Sequence, residues 1–279
     1  MMNNAIDILA CPECLGDLSV EAGKTLQCTK CNKIIEIIDD VLMMQDKVQP
    51  SFFDMPCELL LEGEKSEALW SFSHLNQSKI IEKELKQGDK ILDIGCGRTV
   101  YYSRPEGANV IAIDPSFPSM RENKMADIRV CSNAERLPVQ SNKISAAIYF
   151  YAIHHFVGNN IDINKENVQK ALSECRRILQ PGGSIFIIEM TLNPWASKLQ
   201  SLYWNAGRKL LKERLDAFMY TKEEIIQTLE SNKFTPLKES YLSFNTQAFK
   251  FIPVILRFPW IKIPKILVPT TSTLFHWVK

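Results

Sequence analysis

Two short apolar segments, each ending in residues that suit a nucleotide-type ligand, constrain the fold of this chain more than any other feature. Residues 90–97 (KILDIGCG) end in two glycines, and residues 110–115 (VIAIDP) contain an acid, Asp114, at the end of an apolar run. Glycines let the backbone approach a ligand at the first strand-to-helix turn, and an acid at the tip of the second strand can accept hydrogen bonds from ribose hydroxyls. The pattern predicts two parallel strands of a doubly wound α/β sheet.

The dinucleotide fingerprint requires a third glycine, which would hold a pyrophosphate at a helix N-terminus. Val100 stands at that position here, after Arg98 and Thr99. This substitution argues against a pyrophosphate ligand. The segment between the two strands, which contains Pro105 and Gly107, is also short for a full helix, so we expect a truncated first crossover.

The rest of the chain continues the alternation of strands and helices that is typical of a parallel α/β sheet. We predict a helix in 65–85 and another in 165–179. Strands are predicted at 90–94, 109–113, 128–131, 145–150 and 184–190, followed by final antiparallel strands at 234–244 and 248–252.

Four segments resemble, in order, the motifs of class I S-adenosylmethionine-dependent methyltransferases. Residues 90–97 resemble motif I. The third glycine of that motif would fall at residue 99, where this chain has Thr99. Residues 132–138 (SNAERLP), 150–155 (FYAIHH) and 176–183 (RRILQPGG) resemble the family's acid-Ala-Glu, Leu-His-His and Pro-Gly-Gly elements. The resemblance implies a Rossmann-like, seven-stranded class I methyltransferase sheet that binds S-adenosyl-L-methionine.

The same resemblance assigns candidate cofactor-binding residues. Gly95, Cys96 and Gly97 would lie against the methionine moiety, Asp93 near its amino group, Asp114 on the ribose, Asn133 and Ala134 on the adenine, and Pro115 and Phe150 along the walls.

His154 and His155 are the candidate catalytic bases, since imidazole titrates near neutral pH. The alternative is that the pair only shapes the floor of the pocket. Glu189, at the end of the strand 184–190, could contact substrate, but we expect it to be a solvated acid.

Four cysteines near the start of the chain have the spacing of a metal site. Two Cys-x-x-Cys knuckles, formed by Cys11 and Cys14 and by Cys28 and Cys31, are separated by thirteen residues. Four thiolates can surround one Zn²⁺ tetrahedrally and leave no open position, so the predicted zinc is structural. Short strands at 18–20, 25–27 and 34–38 complete a small β zinc ribbon.

The flanks of these knuckles, residues 8–16 (ILACPECLG) and 38–43 (IDDVLM), resemble the Trm112-like family of zinc-ribbon proteins. Ribbons of this kind also occur fused to methyltransferase domains. We therefore expect a ribbon at 1–45, a linker with N-terminal helices at 46–88, and the methyltransferase domain at 89–279.

The charge and hydropathy of the chain restrict the kinds of partner and the location that we expect. The formal net charge is +1 and no block of like charge stands out, which argues against a nucleic-acid substrate. No signal peptide and no apolar span of membrane length are visible, which predicts a cytoplasmic protein. Nothing in the sequence indicates the oligomeric state.

Two C-terminal segments carry further expectations. An insertion at about 193–217 is predicted to form an amphipathic helix that covers the pocket. Most of the apolar residues of this helix are expected to pack in the core. The tail after residue 250 is apolar, basic and interrupted by prolines. It either packs on the domain or makes peripheral contact with a membrane through Phe258, Trp260 and Trp277.

The leading hypothesis is a methyltransferase that acts on a small molecule or on a lipid- or glycan-linked intermediate. An rRNA or tRNA methyltransferase is the first alternative, because rRNA guanine methyltransferases also carry an N-terminal four-ligand zinc module. A non-catalytic scaffold that kept the fold is the second, because Thr99 and the short crossover depart from the family pattern.

Overall fold

A computed structural model describes residues 6–21, 25–45, 77–211, 215–237 and 269–279. The strands are β1 (Leu18–Glu21), β2 (Thr25–Cys28), β3 (Ile34–Ile38), β4 (Val41–Met43), β5 (Lys90–Ile94), β6 (Asn109–Asp114), β7 (Ile128–Cys131), β8 (Ile144–Phe150), β9 (Leu179–Leu192), β10 (Thr235–Pro236) and β11 (Thr270–Val278). The helices are α1, whose described part is 77–84, α2 (Phe117–Glu122), α3 (Ile161–Ile178), α4 (Pro194–Leu211) and α5 (Lys222–Ser231).

The centre of the molecule is a parallel sheet in the order β7-β6-β5-β8-β9, which continues into the antiparallel β11 and the edge strand β10. The predicted strands at 90–94 and 128–131 are confirmed to the residue. Helix α3 begins four residues before the predicted 165, because the side chain of Asn160 caps it by accepting a hydrogen bond from the backbone N–H of Ile163 at 2.9 Å.

Among the described residues the sheet has eleven strands, which include the seven predicted for the methyltransferase sheet. The order β7 to β10 accounts for seven of them. The ribbon strands β1 to β4 add four more, because β4 pairs in parallel with β7 and places Met43 beside Cys131. This backbone pairing joins the ribbon to the main sheet through hydrogen bonds. The side chain of Val41 in β4 is fully buried.

The C-terminal strands also differ from the prediction. Strand β11, which was not predicted, is the last strand of the described residues and lies inside the sheet between β9 and β10. Trp277 is buried in this strand, so it is not a membrane anchor as the docking hypothesis supposed. Phe258, Trp260 and the segment 248–252 lie outside the described residues.

Apolar layers cover both faces of the sheet. On one face, Val168, Leu172 and Cys175 of α3 pack with β8 and β9. On the other face, Ile81 and Leu85, in and just after α1, pack with β5 and β6. Within the described ranges, no helix has both the length and the apolarity needed to cross a membrane.

Candidate functional site

The candidate site lies where β5 and β8 are neighbours. The chain runs outward from β5 to β6 and β7 on one side and from β8 to β9 on the other, so the crevice at the carboxyl ends of β5 and β8 is a topological switch point. Ligands of open α/β sheets bind in such crevices. A Cβ atom built on Gly95 would lie 2.6 Å from the Cβ of Ala152, so the turns after the two strands touch here.

The turn after β5 has a backbone that only glycine adopts easily. Gly95 has φ +69° and Gly97 has φ +61°, both in the left-handed region. The buried side chain of Asn123 supports the turn by donating a hydrogen bond to the carbonyl oxygen of Gly97 at 3.2 Å. Asn123 could not be singled out from the sequence, because it follows α2 in a segment without any motif.

The absence of a third glycine has a structural explanation. In the dinucleotide fold that glycine lets the first helix pack closely on the strand. Residues 98–108 contain no helix, as the truncated crossover predicted, so no helix requires a glycine at Val100, the dinucleotide position, or at Thr99, the motif I position. The Thr99 hydroxyl instead lies 3.2 Å from the Met125 sulfur atom.

Asp114 connects the glycine turn to the end of β6. One carboxylate oxygen accepts the backbone N–H of Gly97 at 3.0 Å, and the other accepts the backbone N–H of Ser116 at 2.8 Å. These two bonds hold the carboxylate of Asp114 between the glycine turn and the end of β6, where the resemblance places the ribose.

Asp93 is a buried acid with an unused oxygen. Its Oδ1 atom has no hydrogen-bond partner among the described residues. Burial, together with the charge of Asp114, raises the pKa of Asp93 to about 8, against a smaller lowering by the Tyr102 hydroxyl. A buried oxygen of this kind fits a cationic amino group, the role that the resemblance gives to Asp93.

The remaining cofactor candidates surround the same crevice. Ala134 is buried, whereas Asn133 and Pro115 are exposed at the ends of the strands. The ring of Phe150 stacks on Tyr101 with 5.2 Å between centroids. Cys96 is buried, with its sulfur atom 3.6 Å from the Asn123 amide nitrogen.

His154 forms a buried pair with Glu189. The two lie at the ends of neighbouring strands, and His154 Nδ1 is 2.7 Å from Glu189 Oε1. Glu189 is fully buried, so its expected exposure to solvent is wrong. Burial alone would lower the pKa of His154, but the charge of Glu189 and its hydrogen bond outweigh burial and raise it. A carboxylate can only accept, so Nδ1 of the neutral ring is the donor and Nε2 is the nitrogen that is able to accept a proton.

His155 is in a different environment. Its Nδ1 atom lies 3.1 Å from the backbone carbonyl oxygen of Asp216, and its ring centroid is 4.0 Å from that of His154. Burial and the neighbouring His154 lower the pKa of His155 to about 3. His155 is therefore a neutral ring near physiological pH.

The segment after α4 covers this pair. The backbone N–H of Phe218 donates to the carbonyl oxygen of His154 at 2.7 Å, and the ring of Phe218 packs edge-on against Trp204 of α4. Trp204 is buried, but the other apolar residues predicted to pack in the core are exposed on α4, namely Trp195, Leu199, Leu202, Tyr203 and Leu210. Most of that packing prediction is therefore wrong.

The four N-terminal cysteines converge. The sulfur atoms of Cys11, Cys14, Cys28 and Cys31 all lie within 4.8 Å of one another. Burial raises the pKa of Cys28, but the backbone N–H groups of Cys31 and Lys30, which donate to its sulfur, lower it to about 6. Four sulfur donors with backbone N–H support are a donor set that suits Zn²⁺.

Comparison with known proteins agrees with this geometry. Residues 92–187 match the Methyltransf_11 family, described as a methyltransferase domain. Together with the order of the strands, this match indicates that residues 92–187 form an S-adenosylmethionine-dependent methyltransferase domain with the class I α/β fold.

The relatives include proteins with different acceptors. The chain is 24% identical over 197 residues to the rat thiol S-methyltransferase TMT1B, covering 70% of this chain and 75% of the rat protein. It is 28% identical over 163 residues to the mouse tRNA (carboxymethyluridine(34)-5-O)-methyltransferase ALKBH8, covering 56% of this chain but 23% of the mouse protein. Several curated relatives are matched over less than half of their length, such as 42% and 20%.

A solved structure shows the same fold. A chain in the complex between the Haloferax volcanii Trm112 methyltransferase activator and a methyltransferase superposes with a TM-score of 0.51 at 14% identity, covering 81% of this chain and 98% of that one.

Proposed function

We propose that this protein transfers the methyl group of S-adenosylmethionine to a small molecule or a lipid- or glycan-linked acceptor whose nucleophilic atom loses a proton in the reaction. The single observation that carries this proposal is the buried His154–Glu189 pair. His154 follows two residues after Ala152, the residue that contacts the glycine turn at Gly95. The bound cofactor supplies an electrophilic methyl carbon. The task of the protein is to align the acceptor with it and to take up the proton.

The cofactor would be held at the switch point. Gly95, Cys96 and Gly97 would face the methionine part, and the unpartnered Oδ1 of Asp93 would accept its amino group. On the nucleoside side, we assign Asp114 to the ribose, Asn133 and Ala134 to the adenine, and Pro115 and Phe150 to the walls.

His154 would act as the base and Glu189 would position it. A carboxylate that accepts from Nδ1 orients the ring and stabilises the imidazolium that forms when Nε2 takes a proton. We assign no base function to His155, because its low pKa makes it a weak acceptor of protons. It would shape the floor of the pocket.

The charge of the molecule favours a small acceptor over RNA. A protein that binds RNA through phosphates needs a basic surface, whereas this chain has 33 basic and 32 acidic residues. The similarity to a thiol S-methyltransferase is in keeping with a small acceptor. The similarity to a tRNA methyltransferase keeps tRNA as the second candidate, although the match covers under a quarter of that enzyme.

Zinc would stabilise the N-terminal ribbon. We propose that Cys11, Cys14, Cys28 and Cys31 bind one structural Zn²⁺, since four sulfur ligands leave no open position for a substrate.

Cofactor labelled in the methyl group tests the function. The zinc-loaded protein is incubated with labelled S-adenosylmethionine and, in parallel, with a small-molecule and lipid extract or with total tRNA. We expect label in the extract and not in tRNA. His154→Gln is expected to lower turnover about 10²- to 10⁴-fold without weakening cofactor binding measured by calorimetry.

His155→Gln is the matched control and should retain most of the activity. Label in tRNA would establish the second candidate instead. Equal losses in the two variants would refute the assignment of His154 as the base.

A further inference from the structure

Helix α4 has an apolar outer face. At 3.6 residues per turn, six of its positions fall on one arc about 100° wide, and all six are apolar or aromatic. We call this arc the outer stripe: Trp195, Leu199, Leu202, Tyr203, Ala206 and Leu210. All six are exposed, with Leu202 and Leu210 each 82% exposed. Single exposed leucines are ordinary, but a continuous stripe marks an interaction surface.

The opposite face of α4 already satisfies the packing of the fold. Ala196, Gln200 and Trp204 are buried, and the Gln200 side chain exchanges hydrogen bonds with the backbone of Met219. A helix packed on one face normally has a polar face toward water. Within the described residues, the packing of α4 on this domain does not account for the stripe from Leu199 to Leu210, which therefore serves another contact.

Charge indicates the kind of partner. Helix α4 contains Lys198, Arg208 and Lys209 but no acidic residue. Arg208 is directed inward, where it donates to the carbonyl oxygens of Gly158 and Leu215. Lys198 and Lys209 are exposed and border the same edge of the stripe. An apolar stripe with a basic border is typical of a helix that lies in the interface of an anionic membrane.

A second acid-free part of the sequence reaches the same place. No acidic residue occurs between 240 and 279. Before β11 begins, the carbonyl oxygen of Pro269 accepts the backbone N–H of Asn193 at 2.8 Å, immediately before α4. The chain thus re-enters the sheet beside the start of α4. The described residues 269–279 contain no acidic side chain, which is compatible with an anionic surface as the occupant.

We propose that α4 docks the protein on an anionic lipid bilayer, with the outer stripe immersed in the interface and Lys198 and Lys209 on the headgroups. The inner face of the same helix contacts Phe218, which is bonded to His154. Docking would therefore place the site next to the bilayer, where it could take an amphiphilic acceptor. The docking proposal is argued from the surface of α4 alone. Only the suggestion that substrate enters from the bilayer rests on the proposed function.

Vesicle flotation of the full-length, zinc-loaded protein tests the proposal. One set of vesicles contains phosphatidylcholine alone, and the other contains equal parts of phosphatidylcholine and phosphatidylserine. We expect the wild type to float with the anionic vesicles. Leu202→Gln should weaken this binding about tenfold or more, because it removes one buried leucine from the interface. Lys209→Gln should weaken it about fivefold, and only on anionic vesicles.

Ser201→Gln is the matched control, because it introduces the same side chain at the neighbouring exposed position outside the stripe. It should bind like the wild type. Failure of the wild type to float, or equal binding of Leu202→Gln and wild type, would overturn the proposal. So would a dimer in light scattering that Leu202→Gln dissociates, since a second copy would then cover the stripe. Cofactor calorimetry on the same samples separates these outcomes from a failure of the proposed function.

Discussion

Gly95→Ala is the substitution whose cost can be worked out most directly from the structure. The φ of +69° places an alanine in the left-handed region, at a cost of roughly 1–2 kcal/mol. Its Cβ atom would also stand 2.6 Å from the Cβ of Ala152, and relieving such a contact in a packed region costs about 1–3 kcal/mol. The loss of unfolded-state entropy returns about 0.4–1 kcal/mol. The expected decrease in the free energy of unfolding is therefore about 2–4 kcal/mol.

Gly97→Ala separates the two contributions. Gly97 has a similar φ of +61°, but a Cβ atom there would have nothing within 4 Å. Its expected cost is about 0.5–1.5 kcal/mol, the conformational part alone. The difference between the two variants measures the contact between the turns after β5 and β8.

Urea denaturation measures the free energy of unfolding of four zinc-loaded proteins: the wild type, Gly95→Ala, Ala152→Gly and the double variant. These four values form a double-mutant cycle. Removing the Ala152 Cβ atom should restore about 1–3 kcal/mol to the Gly95→Ala protein. Calorimetry should report weaker S-adenosylmethionine binding for Gly95→Ala, because the turn that would hold the cofactor has moved. A coupling energy below about 0.5 kcal/mol, or equal losses at Gly95 and Gly97, would refute the argument.

Three further predictions concern protons and metal. With a pKa of about 8, Asp93 is mostly protonated at pH 7, so binding of a cationic amino group should release a proton. Calorimetry in two buffers of different ionisation enthalpy measures this release. Proton release that persists in Asp93→Asn would contradict the assignment. The chain has four histidines, so an NMR titration should resolve His154 with a pKa above 6.5. Glu189→Gln should move it below 6.5, since burial then acts without the carboxylate, and an unchanged midpoint would exclude the pair. Removal of zinc by a chelator should lower the thermal midpoint and cofactor affinity together, with recovery when zinc is added back. A midpoint insensitive to zinc would argue against a structural metal.

The parallel part of the fold could be predicted because its signals are local. Strands β5 and β7 are apolar runs bounded by turn residues, and α3 has regular helical spacing. Strand β4 was not predicted, because three apolar residues carry no periodicity and it exists only through pairing with β7. Strand β11 was missed for a related reason. It is buried along most of its length and lies far in sequence from its partner β9, so no alternation or hairpin marks it.

The candidate site divides in the same way. The glycine turn and Asp114 could be found from sequence, since close backbone approach restricts the residue types allowed there. Glu189 could not be assigned correctly, because an acid at a strand end is usually solvated and only the tertiary structure brings His154 within 2.7 Å of it. Asn123 was missed because its contact with the glycine turn depends on where α2 ends.

The attachment of the ribbon changes how the metal and the cofactor site relate. After β4 the chain donates from the backbone N–H of Met44 to the carbonyl oxygen of Cys131 at 3.0 Å, and from the Gln45 side chain to the carbonyl oxygen of Pro115 at 2.8 Å. Cys131 ends β7 and directly precedes the segment assigned to adenine, while Pro115 follows Asp114. The ribbon also covers an edge of β7 that would otherwise present unpaired backbone groups. A ribbon of this size has little core of its own, so a metal that holds it folded would also hold these two contacts. Zinc bound at the ribbon would therefore affect the affinity for the cofactor through β4. For this reason, zinc removal is expected to lower the thermal midpoint and the cofactor affinity together.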